Sequence, residues 1–154
     1  MYVDYMNSPV GILEIGASER GVTQVIFCES ESRDINKSSI TSRVVEQLNE
    51  YFNRDRECFD LPFDQEGTQF QQAVWQQLLH IPFGQTASYG DVAKAMNNPK
   101  AMRAVGAANG KNPISIIVPC HRVIGSNGSL TGYAGGLARK TWLLKHENAQ
   151  GNMF

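Results

Sequence analysis

A cysteine and a histidine stand side by side at the end of an apolar, β-branched run, Ile116-Ile-Val-Pro-Cys-His-Arg-Val-Ile124, and they are the residues best suited to covalent chemistry. Sulfur attacks as thiolate, and a cysteine with the ordinary pKa of about 8.5 is only a few per cent ionised at neutral pH. Cys120 therefore needs a base, and His121 is the candidate. Taken alone, such a dipeptide is more often a small buried hydrophobe beside a core imidazole that holds one hydrogen bond. The Ile/Val run reads as a buried strand that the chain leaves at Pro119, which has no N–H to extend a ladder. On a strand His121 would point away from the sulfur, so a bridging water or an irregular backbone must intervene.

The elements that position this pair follow from periodicity. Residues 2–6, 10–15 and 22–27 alternate in polarity and are separated by turn residues, predicting three short antiparallel strands. Polar, acidic residues 28–40 predict a surface loop, and Val44, Val45, Leu48, Tyr51 and Phe52 predict a helix with one apolar stripe. Residues 54–67 read as a linker that docks through Phe59, Leu61 and Phe63. The expected division is 1–66, an N-terminal α/β scaffold, and 67–154, which carries the chemistry.

In the second part Thr68-Gln-Phe-Gln71 and Ser88-Tyr-Gly-Asp91 are capping boxes that open two helices. A third helix is expected from about Lys100 to Asn109. Two short helices joined by a turn of about four residues make a helix-turn-helix, the second being the one that would lie on DNA. Ala101, Ala104, Gly106, Ala107 and Ala108 offer almost no hydrogen-bonding groups for base readout, but they permit close approach. Arg103 is the one long side chain there, and phosphate contact is its simplest role. Asn127-Gly128 signals a hairpin between Val123–Gly125 and Leu130–Tyr133, and Leu137 to about His146 forms the last helix. Glu147 follows, a carboxylate where a helix C-terminus disfavours one, so it asks for a partner, for which His121 is well suited.

Composition narrows the classes. With 154 residues, 42% apolar and 19% charged, the chain is expected to be a soluble globular protein. Its N-terminus has no basic-then-apolar leader and no apolar run of bilayer length follows, so neither secretion nor membrane insertion is expected. Cys28, Cys58 and Cys120 fit neither a disulfide framework nor a metal site, and a reducing cytoplasm suits them. The net charge of −1 hides a division: residues 1–87 hold six Lys/Arg against thirteen Asp/Glu, and residues 88–154 hold eight against two. The second part therefore suits a polyanion.

Ser88-Tyr89, Arg103-Ala-Val-Gly106, Asn112-Pro113, Pro119-Cys-His-Arg122, Tyr133, Gly135-Gly136 and Lys145-His-Glu147 occur in this order, and with them the chain resembles the O6-alkylguanine-DNA alkyltransferases. The resemblance is close over residues 67–147 and a matter of pattern over residues 1–66. It implies an α/β (α+β) fold: a small N-terminal antiparallel sheet plus helix, then a mainly helical, winged helix-turn-helix-like domain. It implies direct-reversal repair, in which Cys120 irreversibly takes a methyl or alkyl group from O6 of guanine, and also from O4 of thymine, in a single turnover. His121 would activate the sulfur through a water with Glu147 behind it, and Tyr89 would donate a proton to the leaving base and help rotate it outward. Arg103 would fill the vacated space, which displaces the phosphate-contact role, while Ala101, Met102, Ala104, Gly106 and Arg122 would meet DNA. Asn112, Ser115, Val123, Tyr133, Ala134 and Gly135 would form the pocket. Ser115 stands where some relatives carry proline and Met102 where some carry alanine, so tolerance of bulky alkyl groups does not follow from the resemblance.

The expected partner is double-stranded DNA containing O6-alkylguanine, bound by a cytoplasmic monomer with no membrane, metal or cofactor. Other classes carry their own signatures. A binding-only relative would lack Cys120, a winged-helix transcription factor would bind sequence-specifically without regard to lesions, and a cysteine hydrolase would turn over.

Overall fold

Alternating residues build the first three strands, β1 Tyr2–Ser8, β2 Gly11–Ala17 and β3 Val22–Cys28, which pair antiparallel in the order β1-β2-β3. The β1–β2 register sets Tyr5 opposite Glu14 and Met6 opposite Leu13. Because side chains alternate between faces, Leu13, Ile15 and Val25 share one face, and they are fully buried together with Val44, Leu48 and Tyr51 of helix α1, Ser39–Phe52. The other face carries a polar network in which the Tyr5 hydroxyl donates to Glu14 Oε1 at 2.8 Å and Gln24 Nε2 donates to Glu14 Oε2 at 2.5 Å. Ser38 starts α1 with a capping box that pairs it with Thr41. The acidic loop also contributes an edge pairing, Val3 with Asn36. The linker docks where β3 begins, with Val22 N–H donating to Pro62 O and Asp64 N–H to Val22 O, at 2.9 and 2.8 Å.

The computed structural model describes residues 1–148, and the chain divides into two compact units, Met1–Glu66 and Gly67–Phe154. The second unit opens with α2, Gln69–Leu78, capped by Thr68 and Gln71 as the sequence predicts. A two-residue strand β4, Ala87–Ser88, leads directly into α3, Tyr89–Ala95, through the Ser88–Asp91 capping box. Asn97 takes φ +57, the left-handed conformation that asparagine tolerates, and so turns the chain sharply after α3. A short 3₁₀ turn over Pro99–Ala101 then feeds α4, Met102–Gly110. Trp75 locks α2 to α4 by donating Nε1–H to Ala108 O at 2.9 Å. The unit ends with β5, Val123–Ile124, and α5, Leu137–His146. No helix among the described residues is long and apolar enough to cross a membrane.

Two local expectations are overturned. Ile116–Val118 is not a strand, and Val123–Ile124 is not one arm of a hairpin but pairs in parallel with Ala87–Ser88. The Asn-Gly segment forms a turn closed by Gly128 N–H to Gly125 O and Gly125 N–H to Ser129 O, both at 2.9 Å. After it residues 129–136 run without strand pairing, so the expected wing is a loop. Both segments are held by side chains from elsewhere, which local propensity does not register. The overall arrangement is the α+β one expected, with a small antiparallel sheet and helix followed by a mainly helical domain.

Candidate active site

The backbone that presents Cys120 is made of tight turns. Ile117 N–H donates to Ser115 O at 2.8 Å around Ile116, which sits at φ +71, a rare position for a β-branched residue. Cys120 N–H donates to Val118 O at 2.8 Å around Pro119, whose φ −83 and ψ 63 define an inverse γ-turn. Asn112 holds the whole segment: its Nδ2 donates to Ile114 O at 3.0 Å and Val118 O at 2.9 Å, and its Oδ1 accepts from Ile114 N–H at 3.0 Å. Residues Cys120–Arg122 then form one turn of 3₁₀ helix. This coiled backbone replaces the expected strand and removes the opposite-face objection to a Cys-His pair.

His121 and Glu147 are both buried, with Nε2 2.8 Å from Glu147 Oε2. A carboxylate only accepts, so Nε2 carries the proton of this bond. Arg122 grips the same carboxylate with two nitrogens, Nε to Oε1 at 2.8 Å and Nη2 to Oε2 at 3.1 Å, while Nη1 donates to Ile81 O at 2.7 Å. Arg122 was expected on the DNA surface, but it is only 6% exposed and its guanidinium is committed to Glu147. A guanidinium fork matches a carboxylate geometrically, and burial demands the pairing. Burial works to raise the Glu147 carboxyl, yet His121 and Arg122 together hold it well below the usual carboxylate range. Burial also lowers His121, against the pull of Glu147. With Arg122 already neutralising Glu147, the imidazole stays neutral, and its buried Nδ1 has no hydrogen-bond partner among the described residues.

Burial pushes the Cys120 thiol up, while a hydrogen bond with Asn112 and the charge of Lys140 pull it down. The resting group is therefore a thiol, which would have to lose its proton to act as a nucleophile. Lys140 is fully buried, donating Nζ–H to Val123 O at 2.6 Å and to Thr131 O at 3.3 Å. Burial lowers its pKa to about 8, with Cys120 acting in the opposite direction. The Tyr133 phenol is held well above its usual pKa, first by burial and then by Cys120, against a hydrogen bond with Ser115. Ser115 is buried, Ala134 is exposed, and Gly135 O accepts from Arg139 Nη1 at 3.3 Å.

Tyr89 begins α3, and its hydroxyl lies 2.5 Å from Thr131 Oγ1. Gly106 of α4 lies beneath the ring, where an added Cβ would stand 3.8 Å from Tyr89 Cδ1. Met102, Arg103, Ala104 and Ala107 are exposed along α4, with Ala101 and Gly106 half-buried, whereas Val105, Ala108 and Asn109 face inward. One face of α4 is thus nearly free of bulky groups except Met102 and Arg103. Lys94, Lys100 and Lys111 are exposed on and around the helix-turn-helix.

The family model for the 6-O-methylguanine DNA methyltransferase DNA binding domain matches residues 69–149, and the model for that protein's ribonuclease-like domain matches residues 1–65. The methylated-DNA–protein-cysteine methyltransferase of Methanosarcina mazei is 44% identical over 153 residues, covering 96% of this chain and 97% of that protein. This chain belongs to the 6-O-methylguanine DNA methyltransferase family. The enzyme of the same name from Mycobacterium tuberculosis is 45% identical over 150 residues, covering 94% of this chain and 91% of its own. The crystal structure of Mycobacterium tuberculosis OGT in complex with DNA matches with a TM-score of 0.89 at 44% identity, over 99% of this chain and 98% of that one.

Two buried polar residues of this family member lie outside the motifs that mark the site in the sequence. Lys140 lies in a basic helix and reads as a solvated cation, yet it is the one that turns inward to bind two carbonyls. Asn109 falls on the inward face of α4, and its Nδ2 lies 3.4 Å from Cys120 O. Only Asn109 leaves a trace in the sequence, a polar residue in line with Val105 on the apolar side of the helix.

Proposed function

We propose that this chain repairs DNA directly, accepting the alkyl group of O6-alkylguanine on its own Cys120 in a single irreversible event. The observation that carries this is the buried His121–Glu147 pair directly after the buried Cys120 on one 3₁₀ turn, with Arg122 fixing the carboxylate. Nε2 is engaged with Glu147, so Nδ1 is the ring atom left to take the Cys120 proton, through a bridging water. The thiolate then attacks the alkyl carbon: the S–C bond forms, the C–O6 bond breaks, and its electron pair stays on the base. Tyr89 supplies a proton to the base as it leaves. The product is a thioether, which nothing in the site hydrolyses.

An alkyl group on O6 lies inside the duplex, and the thiol is buried, so the nucleotide must leave the stack to reach it. The small-residue face of α4 suits close approach in the minor groove, independent of sequence, and Arg103 is the exposed side chain able to fill the gap left behind. Asn112 holds the turns that present Cys120, while Tyr133, Ser115, Val123, Ala134 and Gly135 line the base pocket. The same pocket takes O4-alkylthymine, whose alkylated oxygen presents equivalent chemistry. Every residue invoked lies in one unit, so a monomer suffices, and the reactive thiol suits a reducing cytoplasm.

The test is transfer of label. Incubation with duplex carrying radiolabelled O6-methylguanine places one label per chain on Cys120, located by peptide mapping. Continued transfer by Cys120→Ala, or more than one turnover, refutes the assignment.

A further inference from the structure

Thr131 lies on the loop between β5 and α5, outside every motif that marks the site in the sequence, yet its hydroxyl reaches the Tyr89 phenol at 2.5 Å. The fold places both partners. The Thr131 carbonyl accepts from the buried Lys140 Nζ at 3.3 Å, and the same ammonium holds Val123 O at 2.6 Å, anchoring the loop beside the active-site turn. The Ser88–Asp91 capping box places Tyr89 at the start of α3, and its ring lies beside Gly106, where an added Cβ would meet Cδ1 at 3.8 Å. Threonine is stiff about χ1, so an anchored backbone gives its hydroxyl a defined place.

We propose that Thr131 is a positioning residue for proton donation by Tyr89, its hydroxyl donating a hydrogen bond to the phenol oxygen as that oxygen becomes negative. This rests on Tyr89 being the donor to the leaving base. In that step the phenol proton moves to the base, whose ring has kept the electron pair of the broken C–O6 bond, and a phenoxide remains. A phenoxide in a half-buried site needs a donor aimed at it, and a hydroxyl can reverse its role because its hydrogen rotates. While the phenol is neutral, either oxygen can donate. Once the phenol has lost its proton, only Thr131 can.

The test compares Thr131→Val, which keeps the shape and loses the hydroxyl, with Thr131→Ser, which keeps the hydroxyl. Single-turnover transfer from an O6-methylguanine duplex is measured in both, in Tyr89→Phe, and in the Tyr89→Phe/Thr131→Val double variant. The valine variant is expected to transfer about tenfold or more slowly, the usual effect of losing a hydrogen bond to a charged group. Serine restores the rate to within about threefold, and valine slows the Tyr89→Phe protein less than about twofold, because the hydroxyl acts through the phenol. Affinity for undamaged duplex is unchanged in the threonine variants. Thr131→Ala replaces valine if valine prevents folding. A valine variant at the wild-type rate beside a slow Tyr89→Phe overturns the role of Thr131 alone, as does equal slowing in both backgrounds. If both single variants react at the wild-type rate, proton donation by Tyr89 falls, and the role of Thr131 falls with it.

Discussion

Replacing Glu147 by glutamine tests the buried charge pair and the orientation of His121 together. The carboxylate accepts from His121 at 2.8 Å and from Arg122 at 2.8 and 3.1 Å. A glutamine amide offers one acceptor oxygen and no charge, leaving the Arg122 guanidinium buried without its counter-ion. Breaking such a pair from one side costs about 3–5 kcal/mol, and relief of a carboxylate at the α5 C-terminus returns about 0.3–1 kcal/mol. The net loss is about 2–4 kcal/mol. Both tryptophans, Trp75 and Trp142, lie in the second unit, so their fluorescence during urea unfolding reads this unit directly. With a denaturant slope of about 1–3 kcal/mol per molar, the midpoint falls by roughly 1–2 M. Because the folded Glu147 carboxyl lies below its unfolded value, the stability it contributes is fully present above about pH 4.3 and is lost as pH falls through the folded value. The gap between wild type and Glu147→Gln therefore closes in strong acid. The amide oxygen still accepts from Nε2, so transfer slows about 10- to 100-fold rather than stopping. An unchanged midpoint together with an unchanged rate refutes the arrangement. Arg122→Met separates the two effects: Glu147 then faces only His121, the imidazole binds its proton more tightly, and the acid limb of the transfer rate moves to higher pH.

Lys140 predicts a pH effect of opposite origin. Its folded pKa of about 8 lies below the ordinary lysine value, so the unfolded chain binds more protons between the two and the folding penalty fades as pH rises through this window. Urea midpoints between pH 7.5 and 10 should rise more steeply in Cys120→Ala than in Cys120→Ala/Lys140→Met, the shared alanine removing the thiol's own titration; parallel slopes refute the assignment. Gly106 separates stability from function. Gly106→Ala should raise the melting temperature, since helix propensity favours alanine by up to about 1 kcal/mol and its Cβ meets Tyr89 Cδ1 at an ordinary 3.8 Å. Gly106→Leu should keep the fold but displace the phenol and slow transfer, and a full rate in that variant shows that the ring is not held from this side.

Where a segment's structure was decided locally, it was legible. The capping boxes at Thr68 and Ser88 start helices because side-chain oxygens three residues apart satisfy exposed N–H groups whatever lies beyond them. The strands of the first unit follow from alternation over half-buried faces. The Ile116–Val118 run failed because β propensity describes a segment free to find a ladder, and here the Asn112 amide takes the carbonyls of Ile114 and Val118 and bends the chain into turns. The DNA contact that the resemblance implied for Arg122 failed for a related reason: a short motif names the residue but not the buried carboxylate that claims its guanidinium.

The sequence by itself supplied the residues on which the proposed chemistry rests: a cysteine beside a histidine, a glutamate at the end of the last helix, a tyrosine opening a capped helix, and a basic second half with a helix of small residues. These are properties of residue type and spacing, and they survive any detail of packing. Only the tertiary structure decided which groups meet. It made Arg122 the counter-ion of Glu147, turned Lys140 inward onto two carbonyls, and brought Thr131 to Tyr89 across 42 positions of chain. Such contacts depend on burial, where an unpaired polar group costs several kcal/mol and must find a partner wherever the fold supplies one.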